Sequence, residues 1–298
     1  MVMLRGAFSH LLAPGFRKVI FESYKERPIE GRSLVNFNTS KRAYEEDYKL
    51  AGFGTLREKV EGGPVPYEDI RPGLPKRYVW TTYALGFRIT QEMMEDDLYG
   101  IMGNKMSRAL GRSARNNQEI VMHAPFNNAF DSAYVGFNAG EPLIGVHNLV
   151  RGGQIRNGPL TDTDLSLPAL QAAIEHFHSL TDESGIPAVY QPKTLIHGIG
   201  NYFLANQLLK STQLPGTNLN DTNQLTREGI TPHLSHYLVD DDAWFLVASN
   251  ADINYFERRA FTVSSTDDFR TGDAEFKGTR RNGSDFGDWR GIYGSRGE

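Results

Sequence analysis

Residues 48–130 join two segments that cannot bury themselves against each other, and this most constrains how the chain folds. Residues 48–85 are charged and interrupted by Gly and Pro, which predicts a long hairpin without an apolar face. Residues 90–128 predict one long polar helix with a narrow apolar stripe. Neither segment is stable without a further surface. We therefore expect other copies of the same chain to supply that surface.

Composition bounds the class of protein. The chain has 298 residues, of which 39% are hydrophobic and 23% charged, and we expect one or two domains. A formal net charge of -4 argues against a dedicated nucleic-acid binder, which usually has a basic excess. The lack of cysteine excludes disulfides and Cys-based metal sites. Because we find neither a membrane-spanning apolar run nor a signal peptide, we expect a soluble, cytoplasmic protein.

The predicted hairpin occupies residues 44–89. Residues 53–60 alternate weakly, and residues 78–83 combine aromatic and β-branched side chains, which favours two strands. Between them, Gly and Pro break the pattern and charges of both signs accumulate, which is typical of a solvated loop or of a self-complementary contact surface. The candidate contact residues here are Arg57, Glu58, Lys59, Glu61, Glu68, Asp69, Arg71, Lys76 and Arg77.

The long helix is predicted over residues 90–128. Acidic residues precede basic ones, an order that complements the helix dipole. Its methionines recur at helical spacing and predict core packing rather than a ligand site. Gly100, Gly103 and Gly111 each weaken the helix by about 1 kcal/mol. Arg108 and Arg112 complete the set of candidate inter-subunit contacts.

The rest of the chain predicts shorter elements. Residues 1–43 predict a short helix and then an extended arm that packs on a neighbouring copy. Further on, helices are predicted at 167–180 and 201–210, a strand at 188–196, a hairpin of 235–239 with 243–248, and strands at 255–263, 274–277 and 289–293.

The histidines are the first candidates for chemistry. His233 and His236 lie close in sequence to Asp240, Asp241 and Asp242, which are metal-ligating residue types. Residues three apart in a strand point to opposite faces, and an acidic run is typical of a turn, so we predict no metal site.

Nothing else in the sequence indicates catalysis. His176 and His178 are two apart on a predicted helix and do not face each other. Residues 198–200 (Gly-Ile-Gly) follow a strand, but the pattern extends no further and predicts a tight turn. We therefore predict no enzyme activity, no catalytic residues and no cofactor.

The order of these segments resembles the major capsid proteins of tailed bacteriophages, whose fold is shared with encapsulins and the herpesvirus shell floor. The resemblance covers nearly the whole chain and is closest to the group of the Mu-like major head protein. It rests on the order and spacing of residues 52–54, 61–63, 89–99, 106–113, 127–130, 192–196 followed by 204–209, 237–246 and 288–295.

The resemblance implies an α+β subunit with four parts. These are an N-terminal arm (1–43), an extended loop (44–89), a peripheral domain (90–184 and 251–298, with a spine helix at 90–128) and an axial domain (185–250). It further implies that copies form the pentamers and hexamers of an icosahedral head around double-stranded DNA. The protein is then part of the virion and is assembled in the cytoplasm of the host bacterium.

The same resemblance implies partners. They are a portal at one vertex, in some heads a decoration protein, and packaged DNA through weak, non-specific contact. Because the arm starts close to Met1, we also expect a separate scaffolding protein. Lys59 and Lys76 lie where some family members crosslink a lysine to a neighbouring asparagine, but we favour ordinary salt bridges there.

Three alternatives stay open. The first is an encapsulin-like compartment shell, which has the same fold and encloses protein instead of DNA. The second is a metal-dependent hydrolase that uses His233, His236 and residues 240–242. The third is a tail or baseplate protein, which forms rings or tubes instead of closed shells.

Overall fold

The structure, a computed structural model, describes residues 8–68, 71–96, 101–134, 136–137, 140–149, 152–213, 222–268 and 270–297. It combines helices and sheets, as the α+β prediction requires. Compactness divides the chain into two units. Unit 1 comprises Met1–Glu45, Val79–Met122 and Tyr255–Ser284, and unit 2 comprises Glu46–Tyr78, His123–Asn254 and Asp285–Glu298. The four-part division expected from the sequence stays a prediction.

The helices are α1 (Phe8–Lys25), α2 (Gln91–Asp96), α3 (Ile101–Asn127), α4 (Leu167–Ser179) and α5 (Tyr202–Lys210). The strands are β1 (Asn36–Thr39), β2 (Tyr44–Ala51), β3 (Arg71–Val79), β4 (Thr81–Ile89), β5 (Val146–Asn148), β6 (Gln154–Arg156), β7 (Pro192–His197), β8 (Thr231–Leu234), β9 (Trp244–Ala248), β10 (Ile253–Asp267), β11 (Ala274–Phe286) and β12 (Ile292–Ser295). Among the described residues, no helix is long and apolar enough to cross a membrane.

The predicted hairpin is only partly correct. Strands β2 and β3 pair in a two-stranded sheet, but residues 53–60 form no strand. The reason is spacing, because Phe53, Leu56 and Val60 lie three or four residues apart and do not alternate. The run 78–83 divides at Trp80, whose indole Nε1 donates to the Arg42 carbonyl oxygen (3.1 Å). Strand β4 therefore leaves the hairpin and joins the main sheet of unit 1.

The main sheet of unit 1 has the strand order β1-β10-β11-β4. Strands β4 and β11 are antiparallel, with Ala274 opposite Ile89 at one end and Asn282 opposite Thr81 at the other. Phe276 packs edge-on against Phe16 of α1, with ring centroids 5.5 Å apart. One face of the sheet is therefore covered by a helix, and its buried apolar residues form the core of this unit.

Helix α1 packs closely against α3 within unit 1. A Cβ at Gly111 would collide with the carbonyl oxygen of Ile20, and one at Gly103 would collide with the ring of Phe16. The glycines that weaken the isolated helix therefore allow the two helices to approach. The predicted short N-terminal helix is confirmed as α1, and the packing of the extended arm after it on a neighbouring copy stays a prediction. Helices α2 and α3 lie within the predicted 90–128 helix, and residues 97–100 between them are outside the described residues.

Replacing Gly111 by Ala is expected to destabilise unit 1 by about 1–3 kcal/mol, because overpacking outweighs the gain in helix propensity of about 1 kcal/mol. The matched control is Gly15→Ala in α1, where a Cβ meets no atom within 4 Å. That substitution is expected to leave stability unchanged or raised. Urea unfolding of both variants measures the difference, and equal effects would contradict the close approach.

The main sheet of unit 2 has the strand order β12-β9-β7-β8. Strand β8 runs parallel to β7, and β9 is antiparallel to both β7 and β12. The predicted hairpin of 235–239 with 243–248 is therefore wrong. The side chain of Asn127 forms hydrogen bonds with the backbone of this segment. Its Nδ2 donates to the Tyr237 carbonyl oxygen (3.0 Å), and its Oδ1 accepts from the Val239 amide (3.1 Å).

The predicted helices of unit 2 are confirmed as α4 and α5, and β7 begins at Pro192 within the predicted strand. Ser166 caps α4, because its Oγ accepts from the Ala169 amide (3.4 Å). After β7, a Cβ at Gly198 would lie 2.6 Å from the Asp241 carbonyl oxygen. Glycine at position 198 therefore allows two loops to approach each other closely, in addition to forming the predicted turn.

Candidate assembly surface

Residues 52–68 of unit 2, which we name the exposed loop, form neither helix nor strand and present large apolar side chains to solvent. Leu56 is 102% exposed and Tyr67 is 93% exposed, relative to reference values for each residue type. Phe53, Val60 and Val65 are exposed as well. Because exposed apolar area of this extent is unfavourable in water, it indicates a surface that another molecule covers.

Local hydrogen bonds hold the exposed loop. The Gly54 amide donates to Glu68 Oε2 (3.0 Å), and the Gly63 amide donates to the Val60 carbonyl oxygen (2.9 Å). The Gly52 carbonyl oxygen accepts from Ser184 Oγ (3.0 Å). These bonds shape the loop without burying its apolar side chains.

The predicted contact residues divide into two groups. Arg57, Glu58, Lys59 and Glu61 are exposed on the loop, as a contact role requires. Glu68 is half-buried, and its carboxylate accepts the bond from Gly54 described above. Asp69 and the side chain of Arg71 lie outside the described residues.

Lys76 and Arg77 are engaged within unit 2. Lys76 is buried, and its Nζ lies 2.6 Å from Asp285 Oδ2, near the ring of Phe286 (5.7 Å to the centroid). Burial raises the pKa of Asp285, although the nearby ammonium lowers it. Arg77 Nη2 lies 2.6 Å from Glu46 Oε1. The buried pair leaves no exposed ammonium at Lys76, so Lys59 is the better placed of the two loop lysines for a contact.

Arg108 and Arg112 both lie where α3 meets α1. The Arg112 Nε lies 3.1 Å from Glu26 Oε2, and this hydrogen bond lowers the pKa of Glu26. The Arg108 carbonyl oxygen accepts from Ser23 Oγ (3.0 Å), while its guanidinium is exposed. Arg112 therefore joins α3 to the residue that follows α1 in the same chain, and Arg108 presents the more exposed cation of the pair.

Unit 1 carries a separate feature, a groove of about 250 Å³ between α3 and strands β4, β10 and β11. Its apolar walls include Leu85, Leu110 and Phe261, and small residues such as Ser113 and Gly278 leave its floor open. A groove of this kind suits one apolar side chain from another molecule.

The apolar residues of the exposed loop were not among the predicted contact residues, because the sequence pattern indicates a charged hairpin without an apolar face. The available signal was the presence of Phe53, Leu56, Val60 and Tyr67 in a segment broken by Gly and Pro. Apolar residues that no helix or strand periodicity organises cannot be buried by local structure.

The histidines whose side chains the structure describes form no comparable site. Among the described residues, no group of three or more His, Asp or Glu side chains is arranged to hold a metal ion. His233 lies in β8, while Asp240 belongs to a turn in which its Oδ1 accepts from the Asp242 amide (3.2 Å). The hydrolase alternative therefore has no geometric support.

His176 provides a pH-dependent term in the stability of unit 2. Burial lowers its pKa to about 4, against an ordinary value near 6.5. The unfolded state thus binds a proton that the folded state excludes, so stability is expected to fall as the pH drops from about 6.5 toward 4. His176→Gln removes this term, whereas the control His178→Gln changes an exposed histidine on the same helix. Thermal unfolding at pH 7 and pH 5 compares them, and equal pH dependence of both variants would contradict the assignment.

The fold and these surfaces define a structural protein of the tailed-phage capsid class. The family described as "Phage capsid protein" matches residues 74–295, which is most of the chain. The chain therefore belongs to the phage capsid protein family. The predictions of the α+β capsid fold and of a major capsid protein are confirmed, and the chain is a component of a virion shell built from many copies.

Solved structures agree on the fold. The capsid of bacteriophage JBD30, decorated with minor capsid protein trimers, is 13% identical with a TM-score of 0.58, and the match covers 71% of this chain and 91% of that one. The mature capsid of bacteriophage PhiM1 is 9% identical with a TM-score of 0.57, covering 90% and 86%. The virus-like particle from Pyrococcus furiosus is 12% identical with a TM-score of 0.54, covering 95% and 98%. A search of curated proteins gave no match.

Proposed function

We propose that the exposed loop fastens each subunit to a neighbouring copy in the icosahedral head. The observation that carries this proposal is the full exposure of Leu56 and Tyr67 in a protein of the capsid family. Burying each side chain against a neighbour contributes about 1.5–3 kcal/mol. Symmetric assembly repeats this contact in every subunit, so a modest local gain stabilises the whole shell.

The surface that receives the loop is the groove of unit 1 on the neighbouring copy. Leu85, Leu110 and Phe261 line the groove with apolar side chains. Leu56 is an apolar side chain that is exposed to solvent in its own chain. The loop and the groove are different surfaces, which makes the contact heterologous, and contacts of this kind form rings when the rotation from copy to copy closes. Hexamers and pentamers are the rings that an icosahedral head requires.

Engineered cysteines test this pairing cleanly, because the natural chain contains none. Leu56→Cys with Ser113→Cys is expected to yield disulfide-linked multimers when assembled particles are oxidised, as seen on a non-reducing gel. Leu160→Cys with Ser113→Cys is the control, because Leu160 is also highly exposed (88%) but lies outside the loop. Crosslinking by both pairs, or by neither, would reject the groove as the receiving surface.

Electron microscopy of the purified protein, with analytical sedimentation, tests the function itself. Closed shells or capsomer rings are expected. Open tubes, or rings that are neither pentamers nor hexamers, favour the tail or baseplate alternative, and shells that enclose a protein cargo favour the encapsulin-like alternative. A monodisperse monomer under all conditions would reject the proposal.

The remaining features of this function follow the family resemblance. They are a purely structural role without catalysis, enclosure of double-stranded DNA, assembly in the host cytoplasm, a portal and a separate scaffolding protein. A decoration protein on the outer surface is consistent with the trimers on the JBD30 capsid. We further propose that the arm, extended loop, peripheral domain and axial domain keep the boundaries given above.

A further inference from the structure

Strand β4 is an open edge of the main sheet of unit 1. It is the last strand in the order β1-β10-β11-β4, and within the described part of the chain its backbone–backbone hydrogen bonds join it to β11 alone. In a strand that is paired on one side, alternate residues direct their amide and carbonyl groups away from the partner. The nine residues of β4 therefore present a row of unused donors and acceptors about 30 Å long.

Strand β4 lacks the features that block an edge strand in most proteins. It contains no proline, and its register with β11 continues without a bulge. Its one charged residue, Arg88, is paired with Glu275 (Nε to Oε1, 2.9 Å). The opposite edge strand, β1, has only four residues. Because a long, unblocked edge readily pairs with another strand, β4 is the edge at which a further strand is expected.

The exposed loop contains a segment that also lacks backbone partners. Residues 55–60 are all exposed and form neither helix nor strand. The backbone of residues 55–59 forms no hydrogen bond with any other described residue, and the carbonyl oxygen of Val60 accepts from the Gly63 amide (2.9 Å). Six extended residues span about 20 Å, which fits within the length of β4. The segment and the edge can therefore satisfy each other's backbone groups.

The side chains of this segment separate onto two faces when it is extended. Because successive side chains of a strand point to opposite faces, Leu56 and Val60 share one face with Glu58, while Arg57 and Lys59 share the other. One face is therefore mostly apolar and the other is cationic. A segment of this kind suits a sheet edge whose own two faces differ.

The two faces of β4 differ in the required way. Leu85 lines the groove beside α3, and Phe87 packs against a buried cluster that includes residues of α1 and α3, so both lie on the side of the helices. Ala84 and Gly86 alternate with them and are exposed on the opposite side. A strand added with Leu56 on the helix side therefore brings Leu56 to the groove. The small residues on the other side leave room for the stems of the cationic side chains.

We propose that residues 55–60 of one copy add to β4 of the next copy as a fifth strand of its main sheet. In this mode of recognition the backbone bonds supply affinity, and the side chain in the groove fixes the register. The proposal rests on the proposed function and deepens it, because a single side chain in the groove leaves the direction of the loop undefined, whereas a paired strand fixes it.

Proline substitutions in the loop test this pairing, because proline removes an amide donor and leaves Leu56 in place. In a strand, the amides of Arg57 and Lys59 point to one side and the amide of Glu58 points to the other. One of these two sets is therefore expected to raise the concentration needed for shell assembly by about 10-fold for each lost bond, and the other set by much less.

Glutamine at the same three positions is the matched control, because it removes the charge and keeps the amide. All the variants are expected to leave the urea unfolding of the unassembled subunit unchanged, since these side chains are exposed in the isolated chain. A difference between neighbouring prolines then reports on strand pairing and not on folding or charge.

Hydrogen exchange, measured by mass spectrometry on unassembled subunits and on shells, follows β4 itself. Assembly is expected to slow the exchange of about four of its amides, the half that point away from β11. Strand β11 is the internal control, because β10 and β4 already flank it on both sides in the subunit.

Three results overturn the inference and leave the proposed function standing, provided that the wild type forms shells. Equal effects of proline at positions 57, 58 and 59 would mean that side chains alone hold the loop. Unchanged exchange in β4 on assembly would mean that no strand pairs there. Slower exchange in β4 with normal assembly of every proline variant would assign the edge to another strand, such as β4 of a second copy. A wild-type protein that never assembles rejects the proposed function itself.

Discussion

Leu56→Ser with Tyr67→Ser is expected to abolish shell assembly while the subunit stays folded. Both side chains are fully exposed in the isolated chain, so their replacement removes no intrachain packing. If a neighbouring copy buries them, the variant loses about 3–6 kcal/mol for each inter-subunit contact. That loss corresponds to a factor of about 10² to 10⁴ in the association constant.

The measurement combines sedimentation with circular dichroism. The variant is expected to sediment as free subunits at concentrations where the wild type forms shells, with an unchanged dichroism spectrum. Leu160→Ser with Val189→Ser is the control, because these side chains are 88% and 80% exposed elsewhere in unit 2. Normal shells from the loop variant would show that the exposed loop does not join subunits.

The second large effect is expected in the interior of unit 2, where Arg290→Met should destabilise the subunit by about 3–5 kcal/mol. The side chains of Arg290 and Glu183 are only 3% and 5% exposed, and Arg290 Nη2 lies 2.7 Å from Glu183 Oε1. Arg290 also contacts Asp288 (Nη1 to Oδ2, 3.1 Å) and donates from Nε to the Thr181 carbonyl oxygen (3.2 Å). Removing it leaves a buried carboxylate without its cation.

Urea unfolding of the unassembled subunit measures this cost. If the unpaired charge causes it, adding Glu183→Gln should restore part of the lost stability. Arg296→Met is the control, because Arg296 is exposed and its guanidinium lies over the ring of Phe130 (4.8 Å to the centroid), so a loss below about 1 kcal/mol is expected. No recovery in the double variant would mean that lost packing, and not the buried charge, destabilises Arg290→Met.

Local pattern was enough to predict several elements. Helices α4 and α5 have clear helical periodicity, and α4 has a capping Ser166 that the sequence displays directly. The β-rich C-terminal part was also predicted, although its strands are longer than expected. Strand β10 extends through Asp267, because pairing with β1 and β11 sustains it beyond the apolar residues.

Local pattern failed where a distant residue decides the outcome. Residues 235–239 have the composition of a strand, but Asn127, more than a hundred positions earlier, bonds their backbone and leaves no hairpin. Residues 78–83 read as one strand, but Trp80 divides them through its bond to the Arg42 carbonyl oxygen. No window of sequence contains both partners of these contacts.

The same distinction applies to the candidate site. The sequence located the loop and its charges, because Gly, Pro and mixed charge are local signals, and the order of segments was enough to indicate a capsid protein. Only the tertiary structure shows that Lys76 is buried beside Asp285 and that Arg112 forms an ion pair with Glu26. It also shows that Leu56 and Tyr67 are exposed to solvent. The physical reason is that burial and ion pairing depend on which distant segments meet, whereas turn and helix preferences depend on the residues themselves.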